Sequence, residues 1–74
     1  MPKLYSSREV VSALKRAKFV DVSQKGSHLK LRGIWDAKLQ TVIVPIHKEI
    51  RFGTFRGILN QAGMSKSEFE QFLK

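Results

Sequence analysis

His28, Lys30 and Arg32 occupy alternate positions directly after the short basic turn Gln24-Lys25-Gly26-Ser27. If the segment is a strand, Leu29 and Leu31 point to one face while His28, Lys30 and Arg32 point to the other. That arrangement sets an imidazole beside fixed cations on an open face. Imidazoles exchange protons near neutral pH, and cations attract phosphate. Proton transfer next to anion attraction points to a phosphodiester substrate, with His28 as the working residue. The competing reading is a surface histidine on a basic strand.

Composition narrows the partner. The chain has 74 residues, 42% of them hydrophobic, and no cysteine. A chain of this length makes one domain, residues 1–74, and lacks disulfides and thiolate metal sites. No apolar run approaches the roughly 18 residues of a membrane span, and the start of the chain lacks a signal peptide's apolar segment. A cytoplasmic location is expected. Fourteen Lys and Arg against six acids give a formal net charge of +8. Nucleic acid is the expected partner, since neutralising phosphates releases condensed counterions. Membrane binding is not expected, because the cations are spread through the chain rather than gathered on one amphipathic helix.

The elements that must position His28 follow from spacing. Ser6 and Glu9 form a capping-box pattern, and Val10, Ala13, Leu14 and Ala17 recur at helical intervals. Residues 19–24 read as a strand with apolar side chains on both faces, Lys25-Gly26 as a two-residue turn, and 27–32 as a second strand. Residues 33–38 read as a turn region in which Trp35 is a lid on the core in preference to a base-stacking ring. A third strand over 39–44 ends at Pro45, and an irregular link carrying His47 follows. Thr54 reads as the N-cap of a helix with the stripe Phe55, Ile58, Leu59 and Ala62, closed by Gly63. Gly57 within it suggests close packing against a neighbour. Ser65 and Glu68 cap a last short helix that buries Phe69, Phe72 and Leu73. The expected class is α+β, with a three-stranded antiparallel sheet, two main helices on one face, and the other face open to substrate.

Four stretches together resemble a known family. Gln24-Lys25-Gly26-Ser27-His28, Val44-Pro45-Ile46-His47, Gly53-Thr54-Phe55-Arg56-Gly57-Ile58-Leu59, and Gln61-Ala62-Gly63-Met64-Ser65 with Glu68-Phe69 are similar, in order and spacing, to the HicA-type toxins of toxin-antitoxin systems. The resemblance implies a double-stranded-RNA-binding-domain-like fold, mRNA cleavage without a metal or other cofactor, and neutralisation by a HicB-type antitoxin. Its catalytic histidine, in the glycine-serine-histidine motif, corresponds to His28. The chain departs at Phe55, where the family more often has leucine, and over Arg32-Gly33-Ile34-Trp35, a variable stretch.

The chemistry implied is transesterification within RNA. A base takes the ribose 2′-OH proton, the oxygen attacks the adjacent phosphorus, and an acid protonates the leaving 5′ oxygen. His28 takes the base or acid role. Lys30, and with it Lys25, Ser27 and Arg32, bind RNA or stabilise charge on the phosphorane. His47 is the candidate for a second proton-transfer group, although holding the bend after Pro45 is the preferred reading. Two isolated histidines and scattered carboxylates make a poor metal-ligand set, so activity is expected to survive chelators. A non-catalytic RNA-binding module, or a domain that acts chiefly by binding a partner protein, are the alternatives. A toxin with an open histidine face must be silenced by occlusion, so the antitoxin is expected to cover the His28 strand.

Overall fold

A computed structural model describes residues 3–73, in the order α1 (Ser7–Arg16), β1 (Val20–Lys25), β2 (His28–Trp35), β3 (Lys38–Pro45), α2 (Phe52–Ala62) and α3 (Lys66–Glu70). The strands form one antiparallel sheet in the order β1-β2-β3, which with the helices gives the expected α+β layout. α1 begins where its capping box places it. The Glu9 backbone N–H donates to the Ser6 hydroxyl at 3.1 Å, and the Ser6 N–H donates to the Glu9 carboxylate at 2.9 Å. Two otherwise orphaned donors are thereby satisfied.

One hairpin is shifted and the other tighter than the sequence suggests. Lys25 pairs with His28, so the first turn is Gly26-Ser27 rather than Lys25-Gly26, and the second strand starts at His28. The second turn is only Asp36-Ala37, both at positive φ (55° and 60°), as in the primed two-residue turns that match strand twist. β2 therefore continues through Gly33, Ile34 and Trp35, paired with Gln40, Leu39 and Lys38. Gly33 is a point of close approach rather than a turn: a Cβ there would stand 2.8 Å from Phe19 Cγ. The mixed polarity of β1 has its own cause. The pairing slips between Asp21 and Ser23, leaving Val22 as a bulge, and every residue of β1 is exposed. Phe19, buried just before it, is its anchor in the core.

The core lies on one face of the sheet. Leu31, Val42 and Val44 pack there with Val10, Ala13 and Leu14 of α1 and with Phe55, Ile58, Leu59 and Ala62 of α2. The open face carries the matched pairs His28–Pro45, Lys30–Ile43, Arg32–Thr41 and Ile34–Leu39. It is basic near His28 and apolar at its far end, where Ile34 and Leu39 are exposed.

α2 starts earlier than expected. Its N-cap is Arg51, not Thr54, in extended conformation with no side-chain cap; Thr54 falls in the first turn. Gly63 closes it in the left-handed conformation at φ 75°. Gly57 is not a point of close packing, because an added Cβ would meet nothing within 4 Å. α3 has its capping box at Ser65 and Glu68. It is tied down by an aromatic trio: Phe55 and Phe69 centroids lie 5.1 Å apart, and Tyr5 lies 5.2 Å and 5.8 Å from them. Trp35 is a lid on the core, edge-on to Phe72 at 5.6 Å. Among the described residues no helix is long and apolar enough to cross a membrane.

Candidate active-site cleft

The segment between Pro45 and α2 has no regular structure, yet its backbone is held at three points. The Ile46 N–H donates to the Ser27 carbonyl at 2.7 Å, the Ser7 N–H to the His47 carbonyl at 3.0 Å, and the Ile50 N–H to the Tyr5 carbonyl at 2.7 Å. The Ile50 side chain is buried as well. Each bond joins the link to a different part of the chain: the first hairpin turn, the N-terminus of α1, and the segment before it. The link is thus fixed beside the start of β2, where His28 stands.

The result is a cleft of about 680 Å³ lined by His28, Pro45, His47, Lys48, Arg51 and Thr54, with Ile43, Glu49 and Ile50 completing its wall. Its size falls within the usual range for ligand sites. Two histidines that the sequence leaves unconnected share this cleft. Arg51 and Thr54 belong to the N-terminus of α2, whose first-turn N–H groups lack a side-chain cap. Uncapped donors and the positive end of a helix dipole favour an anion, and Lys48 and Arg51 add full charges. Among the described residues Glu49 is the one carboxylate in the lining. Neither ion pair among the described residues, Lys3–Glu9 and Lys15–Asp21, engages Lys48, Glu49 or Arg51. Two imidazoles, two cations and uncapped backbone donors around one space suit a phosphodiester.

The other residues singled out from the sequence lie around this cleft rather than in its lining. Lys25 stands opposite His28 across the first hairpin, and Ser27 supplies the carbonyl that holds Ile46. Lys30 and Arg32 share the face of His28 but recede from it along β2, and Arg32 Nε donates to Thr41 Oγ1 at 3.2 Å. Sequence reasoning misses Lys48, Glu49, Arg51 and the cleft role of Thr54. Their signal is the charged run His47-Lys48-Glu49-Ile50-Arg51. Strand alternation has no purchase there, since the link is irregular.

The His47 backbone carbonyl accepts from a donor of α1, the Ser7 N–H, while the residue also lines the cleft and, with Lys48, a second hollow that includes Arg8. Among the described residues no group of three or more His, Cys, Asp or Glu is gathered as a metal site.

A protein-family model described as "HicA toxin of bacterial toxin-antitoxin" matches residues 7–64, which is most of the chain and spans α1 through α2 and every residue of the cleft. No curated protein matches the chain.

Proposed function

This chain belongs to the HicA toxin family and is a toxin of a toxin-antitoxin system, and from that premise we propose that it is an endoribonuclease that cleaves mRNA by proton transfer in the His28–His47 cleft. The observation that carries the reading is that both imidazoles line one space with Lys48, Arg51 and the uncapped end of α2. One imidazole removes the proton from a ribose 2′-OH, and the oxygen attacks the adjacent phosphorus. The other protonates the 5′ oxygen as it leaves, so the products are a 2′,3′-cyclic phosphate and a 5′-OH end. Lys48, Arg51 and the first-turn amides of α2 stabilise the extra negative charge on the phosphorane. Lys25, Ser27, Lys30 and Arg32 hold the flanking RNA on the open face. The fold this reading implies is of the double-stranded-RNA-binding-domain type, used here to cut rather than only to bind.

Imidazole pairs transfer protons without a metal, so cleavage continues in the presence of a chelator. The antitoxin, of HicB type on this reading, silences the enzyme by covering the His28 strand and bringing carboxylates to its cations. The exposed apolar end of the same face, Ile34 and Leu39, supports that docking. The test is a cleavage assay on long RNA with and without chelator, with analysis of product ends. Cyclic phosphate ends formed equally in both conditions support the reading; intact RNA, or ends of another kind, oppose it.

A further inference from the structure

Phe52 stands out among the large aromatic side chains of the chain because it faces water. It is the first residue of α2 and is 43% exposed, while Phe55, the next aromatic of the same helix, is 4% exposed and belongs to the core. A single exposed apolar residue is ordinary. Its surroundings are not.

Phe52 lines a second cleft, of about 610 Å³, whose floor is Phe55, Leu59 and Met64 and whose rim carries Arg56, Asn60 and Lys66. Among the described residues no carboxylate lines it. Lys3, the remaining cation there, is paired with Glu9 at 3.2 Å, whereas neither ion pair among the described residues includes Arg56 or Lys66. The two clefts flank the start of α2 and share no lining residue: Arg51 lines one and Phe52, the next residue, lines the other.

We propose that this second cleft is a base-binding subsite, in which single-stranded RNA leaving the His28–His47 cleft stacks one nucleobase on Phe52 and sets its phosphates against Arg56 and Lys66. The inference rests on the ribonuclease reading above. An aromatic face beside a line of cations is how sequence-tolerant single-strand sites are built: the ring takes any base and the cations follow the backbone. The Asn60 side chain, in the same lining, offers a base edge an amide donor and acceptor. The exposed ring beside Arg56 and Lys66 is what favours RNA over an acidic segment of a partner protein, whose carboxylates would engage the cations but have no use for an aromatic face.

The test uses the full chain with His28→Ala, so that RNA is bound without being cut, and a short fluorescein-labelled single-stranded RNA read by anisotropy. Phe52→Ala and Phe52→Leu in this background are expected to weaken binding by about 10-fold or more, while Phe52→Trp retains it. Leucine keeps the apolar bulk but lacks the stacking face, so it separates stacking from packing. Scanning an abasic nucleotide through the oligonucleotide is expected to find one position at which the penalty of Phe52→Ala disappears. Affinity left unchanged by both Phe52→Ala and Phe52→Leu would overturn the subsite alone, as would loss of antitoxin capture by Phe52→Ala with RNA affinity unchanged. Failure of the His28→Ala chain itself to bind RNA would overturn both the subsite and the ribonuclease reading.

Discussion

His28 and His47 flank the sheet's second hairpin in sequence and line one cleft because β2 begins and β3 ends at the same end of the sheet, where His28 pairs with Pro45. A positioned general acid or base contributes roughly 10² to 10⁴ in rate. His47→Ala is therefore expected to lower kcat by a factor in that range if its ring transfers a proton, and a bend-holding role through the backbone carbonyl alone predicts almost no change. Lys48→Ala and Arg51→Ala are expected to weaken cleavage, since these side chains supply charge to the phosphorane rather than protons. The Glu9 carboxylate contributes to stability toward acid. The Ser6 backbone N–H, and then the Lys3 ammonium, hold the Glu9 carboxyl below the ordinary glutamate range. A depressed folded-state pKa contributes stability above the unfolded value, near pH 4.3, and that contribution is lost as pH falls through the folded value. Urea midpoints measured between pH 6 and pH 3, a window of about three units around that value, should fall more for wild type than for Glu9→Gln.

At the scale of elements, two glycines predict opposite outcomes for the same substitution. Gly57→Ala should stabilise the protein by up to about 1 kcal/mol, because the helix gains propensity and the added methyl meets open space. Gly33→Ala should destabilise it by roughly 1–3 kcal/mol, because the methyl would lie 2.8 Å from Phe19 Cγ and 3.0 Å from Phe19 Cα. Phe55→Leu removes the ring that joins Tyr5 to Phe69 and should cost about 1–2 kcal/mol, measurable by chemical denaturation. The same elements show what the sequence makes legible. Both capping boxes, at Ser6–Glu9 and Ser65–Glu68, are readable because a cap is a local bond between residues three apart. The alternation that places Leu31 inside and His28 outside is readable for a similar reason. The extent of β2 is not, because Gly33 resembles a turn residue until Phe19 is seen lying against it. Nor is the start of α2 at Phe52, where no capping side chain marks the boundary. The Lys48–Arg51 part of the cleft depends on three backbone bonds to distant segments, none of which leaves a spacing pattern.

Over the whole molecule, a net charge of +8 is distributed so that the clefts around Phe52 and His47 carry Arg8, Lys48, Arg51, Arg56 and Lys66 against, among the described residues, the single carboxylate of Glu49. RNA affinity should therefore fall steeply with ionic strength, and removing one of these cations should lower the slope of log K against log salt by about 0.7–1. On the proposed reading the antitoxin displaces RNA from the same surface, so its complex should be salt-sensitive and should protect His28 from chemical modification. The ribonuclease reading itself depends on the cleft being a site of proton transfer. The most direct measurement is the single-turnover cleavage rate of a labelled RNA by wild type and by His28→Ala, with RNA affinity measured on the same samples. A rate lowered by about 10²-fold or more at unchanged affinity is the predicted result. Cleavage by His28→Ala at the wild-type rate would contradict it.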